Sequence, residues 1–61
     1  MNGYVFVRSA EVKEAIKDFC LKNDVILNIM SVFNINKEER WVCCYKADPF
    51  LSKQIKSIAN S

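Results

Sequence analysis

Residues 4–22, YVFVRSAEVKEAIKDFCLK, decide the fold because they place a short strand directly before an amphipathic helix. Tyr4–Arg8 is rich in aromatic and β-branched residues and is too short for a helix, which predicts strand 1. Ser9 can accept a hydrogen bond from a free amide in the first turn of a helix, and Glu11 suits the positive end of the helix dipole. Helix 1 is therefore predicted over Ala10–Lys22.

Within helix 1 the apolar residues recur at i, i+3, i+4, i+7 and i+8, the spacing of one buried stripe. They are Val12, Ala15, Ile16, Phe19 and Cys20. Charged residues occupy the other side of the helix. Asn23 follows helix 1, and asparagine can adopt the left-handed conformation that ends a helix. The chain is therefore expected to reverse direction there.

The rest of the chain predicts a hairpin and a second helix. Val25–Asn34 is a β-branched run, Asn34–Glu39 is a polar loop, and Arg40–Lys46 resumes as strand 3, so the two strands should pair antiparallel. Asp48 before Pro49 is typical of an N-cap followed by proline at the first helical position. The inner stripe of helix 2 is predicted to contain Leu51, Ile55, Ile58 and Ala59.

This order, β-α-β-β-α, predicts one small α+β domain over residues 1–61. Because β-α-β crossovers are right-handed, we expect a three-stranded sheet in the order 1-3-2 with both helices on one face. The arrangement is that of a ferredoxin-like fold without its last strand. This architectural analogy carries no functional weight.

Side chains alternate between the two faces of a strand, and here both faces are apolar. In strand 1, Val5 and Val7 point away from Tyr4, Phe6 and Arg8. In strand 3, Val42 and Cys44 point away from Trp41, Cys43 and Tyr45. We expect the small set, with Val42 and Cys44, to face the helices together with the odd-numbered residues of strand 2. The reverse assignment, with the aromatic residues in the core, stays open.

The side of the sheet turned away from the helices is expected to be an interface, because soluble monomers rarely expose so large an apolar patch. The predicted partner-binding residues are Tyr4, Phe6, Arg8, Met30, Trp41, Cys43 and Tyr45. Strand 1 also has a free edge without proline, which could pair with a second copy. A homodimer through the sheet face or the strand 1 edge is therefore predicted.

The three cysteines are an odd number and predict reduced thiols in a reducing compartment. Cys20 and Cys44 are expected to meet across the helix–sheet interface, and Cys43, on the outer face, is the thiol most suspected of reactivity. Because neighbouring Cys43 and Cys44 point to opposite faces, a zinc site is disfavoured. We expect no metal and no cofactor.

Composition argues against catalysis and against a membrane location. The chain has no histidine, only one glycine and a formal net charge of +2 with mixed signs. The usual general base and a glycine-rich phosphate loop are therefore missing. No apolar run is long enough for a membrane span or a secretory signal, which predicts a protein of the cytoplasm. The missing catalytic groups predict that it is not an enzyme.

These observations predict a small protein-binding regulator: an inhibitor, an antitoxin-like neutraliser or an adaptor. Richness in Lys, Asn and Ile is typical of AT-rich genomes and hints at a bacteriophage or mobile element. A structural homo-oligomer that consumes the apolar face with its own copy is a further possibility.

Single-stranded nucleic-acid binding is the main alternative, with Tyr4, Phe6, Trp41 and Tyr45 stacking on bases. The cations that would hold phosphates are Arg8, Arg40, Lys46, Lys53 and Lys56. The low net charge and the absence of an RNP motif favour a protein partner.

Overall fold

The computed structural model describes residues 2–61. Its elements confirm the predicted order β-α-β-β-α: β1 Asn2–Val7, α1 Ala10–Lys22, β2 Ile26–Phe33, β3 Glu39–Lys46 and α2 Pro49–Ala59. The bounds of α1 agree with the prediction, and the strand ends differ from it by one or two residues, the ordinary uncertainty of element ends.

The three strands form one antiparallel sheet in the predicted order β1-β3-β2. Val5 lies opposite Cys43 and Val7 lies opposite Trp41. Both helices pack on the side of the sheet that carries the odd-numbered strand residues, which we call the helix face. We call the other side the open face.

Local capping explains where the helices begin. The Ser9 hydroxyl accepts hydrogen bonds from the amides of Glu11 and Val12, at 3.1 Å and 3.4 Å. Asp48 caps α2 by accepting from the amide of Leu51 at 2.8 Å, and Pro49 opens that helix. Both predicted caps are confirmed.

The end of α1 differs in one detail from the prediction. Asn23 keeps a negative φ of −110°, and its side-chain amide donates to the carbonyl of Phe19 at 2.8 Å. Asp24 adopts the left-handed conformation instead, with φ 54°. The reversal therefore falls one residue later than predicted.

The helix face of β3 corrects the predicted orientation of that strand. Residues directly opposite each other in an antiparallel pair point to the same face, so the pairing of Val5 with Cys43 brings Trp41, Cys43 and Tyr45 under the helices. Cys43 is fully buried and Tyr45 is 4% exposed. The predicted orientation would require β3 to pair with β1 in a register shifted by one residue.

Tyr45 fits under the helices because its neighbours are small and one of them is polar. Gly3 lies directly opposite Tyr45 on β1, so the phenol ring passes over a residue that has no side chain. The Tyr45 hydroxyl forms a buried hydrogen bond of 2.8 Å with the hydroxyl of Ser52 on α2. Burial of the phenol therefore leaves no polar atom without a partner.

The β2–β3 hairpin extends beyond the rest of the sheet. The register of β1 with β3 ends at Val7 and Trp41, whereas β2 and β3 continue through two more pairs to Phe33 and Glu39. Asn34 orders the turn, because its side-chain oxygen accepts from the amides of Asn36 and Glu38 at 2.9 Å and 3.0 Å. Phe33 is exposed on this extension.

Candidate protein-binding surface

The open face is a contiguous apolar surface that neither helix covers. The register places its members in cross-strand rows: Tyr4 beside Cys44 and Asn28, and Phe6 beside Val42 and Met30. Its apolar part, with Asn28 among it, comprises Tyr4, Phe6, Ile26, Asn28, Met30, Val32, Val42 and Cys44, and the same face also carries Asn2, Arg40 and Lys46. Asn28 is the only amide among these apolar neighbours.

The edge strands expose the open face most. Tyr4 is 62% exposed and Phe6 is 65% exposed, and Ile26, Met30 and Val32 are also exposed on β2. Val42 and Cys44, on the central strand, are half-buried between them. A patch of this kind is the usual mark of an interaction surface.

Tyr4 and Phe6 form an aromatic pair along β1. Their ring centroids are 6.0 Å apart and their planes meet at 84°, an edge-to-face arrangement. This geometry is favourable for the pair itself, because the edge of one ring meets the face of the other. The two rings therefore do not form one flat platform.

The apolar centre is bordered by positive charge. Arg8 follows β1 and is exposed, and Lys46 ends β3 at the opposite end of the sheet. Arg40 lies between them in sequence and forms an ion pair of 3.4 Å with Glu38. A hydrogen bond from Asn34, reinforced by Arg40, lowers the pKa of Glu38.

The structure divides the predicted binding residues into two groups. Tyr4, Phe6 and Met30 lie on the open face with exposed side chains, and Arg8 is exposed directly after β1. The predicted exposure of the other three is wrong, because Trp41, Cys43 and Tyr45 lie on the helix face.

Val42 and Cys44 take the place of these three residues on the open face, so their predicted position in the core is wrong. The one signal that could have identified them is Gly3, since a strand residue without a side chain marks a close approach by a bulky neighbour. Placing Tyr45 opposite Gly3 would have set the register.

Trp41 is half-buried and is covered from the helix side. The Lys13 ammonium group of α1 lies 5.2 Å from the centroid of the Trp41 ring, within the range of a cation–π interaction. This contact anchors Trp41 to α1, away from the open face.

The thiols are also placed differently from the prediction. Cys20 and Cys43, rather than Cys20 and Cys44, belong to the same buried cluster. Burial is the main cause that raises the pKa of Cys43, with a smaller contribution from Cys20, and burial also raises the pKa of Cys20. Both thiols are therefore poor nucleophiles, and Cys44, half-buried on the open face, is the most accessible of the three.

Within residues 2–61, no group of three or more His, Cys, Asp or Glu side chains is placed to hold a metal ion. Neither described helix has the length and apolar character needed to cross a membrane. Comparison of the chain with protein-family models, curated proteins and solved structures finds no match. Its function must therefore be inferred from its own surface.

Proposed function

We propose that this chain is a small non-catalytic regulator that binds another protein through the open face. An inhibitor, an antitoxin-like neutraliser or an adaptor would act in this way, by occupying the surface of its partner. The observation that carries the proposal is the apolar open face, with Tyr4 and Phe6 exposed on its β1 side and no helix covering it. The three free cysteines fit action in a reducing compartment such as the cytoplasm.

The aromatic pair is the expected source of binding energy. An aromatic side chain buries roughly 150–250 Å² when it is fully covered, and each such area is worth about 25 cal/mol per Å². Because Tyr4 and Phe6 are nearly two-thirds exposed, covering each would contribute about 3 kcal/mol before the costs of association. Tyrosine and methionine are also residue types enriched at the centres of protein interfaces.

The geometry supports a protein partner over single-stranded nucleic acid. Trp41 and Tyr45, two of the four aromatic residues expected to stack on bases, lie on the helix face. The remaining pair is edge-to-face, so it cannot stack on two successive parallel bases. Lys53 and Lys56 belong to α2, on the other side of the sheet from the open face.

A pair of matched variants tests this proposal. Phe6 and Phe50 are exposed to a similar extent, but Phe50 lies on α2, away from the open face. The wild type and both variants would be used to capture proteins from a lysate of the native host. A protein that the wild type and Phe50→Ala capture, but Phe6→Ala does not, would be purified, and its binding to each form of the chain would be measured by calorimetric titration. We expect Phe6→Ala to weaken binding at least about 30-fold, the effect of losing a side chain that carries much of the binding energy.

Chemical-shift mapping with the purified partner completes the test. The amides of Tyr4, Phe6, Val42 and Met30 should shift more than those of α2. Capture that is equally strong for both variants would contradict the proposal. Binding to a single-stranded oligonucleotide that weakens steeply with salt and is lost in Phe6→Ala would assign the open face to nucleic acid instead.

A further inference from the structure

The outer edge of β2 is free, and the strand carries none of the usual features that protect an edge. With the order β1-β3-β2, β2 has a neighbour on one side only. Residues 25–36, which include the whole strand, contain no charged residue, no proline and no glycine. Natural proteins protect exposed edges with charges, proline or bulges, so a long apolar edge without them is suited to pairing with another strand.

The edge of β1 is shorter than that of β2 and lies next to a charge. β1 has six residues where β2 has eight, and it is followed directly by the exposed cation Arg8. A longer edge without charge offers more hydrogen bonds and less repulsion to an approaching strand. β2 is therefore the better edge for pairing.

Beside this edge, α1 leaves part of the helix face of β2 uncovered. The result is an open groove of about 370 Å³ between α1 and β2. Its lining is mainly apolar and consists of Lys17, Cys20, Leu21, Val25, Leu27 and Ile29. Leu21 is exposed at its rim.

The same chain also presents a side chain that fits this groove. Phe33 is on the helix face of β2, because it lies on the same side of the strand as Leu27 and Ile29, but it lies beyond the helices and is 66% exposed. An apolar projection and an apolar groove on one strand make a self-complementary surface, which a two-fold symmetric dimer requires.

Antiparallel pairing of two β2 strands brings the projection to the groove. A two-fold axis at Ile29, Met30 or Ser31 places Phe33 opposite residue 25, 27 or 29 of the second copy. All three positions line the groove. Any register centred on the middle of β2 therefore buries Phe33 against the partner, and the strand brings no like charges together.

The area lies at the lower limit of what a specific contact needs. A strand of eight residues is about 26 Å long. The protein is 17 Å to 19 Å thick, so this side offers roughly 450–500 Å² per copy, or about 900–1,000 Å² in the pair, near the ~1,000 Å² expected of a specific interface. Main-chain hydrogen bonds along both strands add to the apolar contact.

We infer that the chain forms a homodimer by antiparallel pairing of β2 with β2 of a second copy, with Phe33 of each copy in the α1–β2 groove of the other. The product is a six-stranded sheet in which the two open faces are continuous. The inference goes beyond the proposed function, because it concerns a different edge and leaves Tyr4 and Phe6 free to bind a partner.

Three phenylalanines of similar exposure allow a matched test. Phe6 is on the open face, Phe33 on β2 and Phe50 on α2, with exposures of 65%, 66% and 70%. Light scattering after size exclusion should give twice the 7.1 kDa chain mass for the wild type, Phe6→Lys and Phe50→Lys. We expect Phe33→Lys to raise the dimer dissociation constant at least about 30-fold.

Amide hydrogen exchange locates the interface without a variant. Alternate amides of β2 between Leu27 and Val32 point away from β3 and should be protected in the wild type and exchange rapidly in Phe33→Lys. A monomeric wild type at every concentration would overturn the inference. So would a dimer with protected β1 edge amides and unprotected β2 edge amides, or one that Phe6→Lys dissociates and Phe33→Lys does not. Loss of partner binding in Phe6→Lys with an intact dimer separates the two surfaces.

Discussion

Replacement of Gly3 by alanine should destabilise the fold by displacing Tyr45. A Cβ atom at position 3 would lie 2.6 Å from the Tyr45 hydroxyl oxygen and 2.7 Å from the adjacent ring carbon. Such contacts are too short for real side chains, so the ring would have to move. Its movement is opposed by burial and by the hydrogen bond to Ser52.

The expected cost follows from two opposing effects. Forcing extra atoms into a packed core costs about 1–3 kcal/mol. Removing the backbone freedom of a glycine whose φ is not positive returns about 0.4–1 kcal/mol. The net loss should be about 1–2 kcal/mol, a large fraction of the roughly 3–9 kcal/mol expected for 61 residues.

Urea denaturation followed by Trp41 fluorescence measures this loss. With a slope near 1 kcal/mol per molar urea for so small a protein, the midpoint should fall by about 1–2 M. The control is the same substitution in a Tyr45→Leu background, where the clashing atoms are absent and the cost of Gly3→Ala should vanish. An equal cost in both backgrounds, or no cost in the wild type, would refute the proposed packing of Tyr45 on Gly3.

Three further predictions concern caps, the turn and the thiols. Asp48→Ala should remove the N-cap of α2 and lower the free energy of unfolding by about 0.5–2 kcal/mol in the same urea assay. Asn34→Ala should lose the side-chain bonds that order the hairpin turn, which amide exchange would report as faster exchange of the turn amides without global unfolding. Burial raises the pKa of Cys20 and Cys43 above the ordinary 9.0, so the folded state keeps these protons to higher pH than the unfolded chain. The free energy of unfolding should therefore be unaffected by these thiols below pH 9.0 and should fall as the pH rises above it. The fall should be less steep in Cys43→Ala. A urea midpoint that does not change between about pH 8 and about pH 10.5 would contradict this prediction.

The element order could be predicted because its signals are local. The Ser9 and Asp48 caps, the periodic apolar stripe of α1 and the proline at the start of α2 all depend on residues within a few positions of each other. The strand order and the side of the sheet that both helices share then followed from general rules of chain connection.

The facing of β3 could not be predicted because it is decided by pairing between distant residues. Alternation identifies the buried side of a strand only when the other side is polar, and β3 is apolar on both sides. The deciding contact joins Tyr45 to Gly3 in the first strand, a sequence separation that periodicity does not sample. The exposure of the open face was therefore predicted correctly on β1 and at Met30 but not on the central strand.

Cys43 and Cys44 provide a direct test of this facing, because they are adjacent, chemically identical and on opposite faces of β3. Cys43 is fully buried, so Cys43→Ser introduces a hydroxyl into the core without an assured partner, at a cost of about 1–3 kcal/mol. Cys44→Ser changes a half-buried position on the open face, where substitutions usually alter stability by less than about 0.5 kcal/mol. Urea midpoints for the two variants under reducing conditions decide between the registers. A larger loss for Cys44→Ser would require β3 to be shifted by one residue, which would return Trp41 and Tyr45 to the outer surface and remove Val42 from the open face.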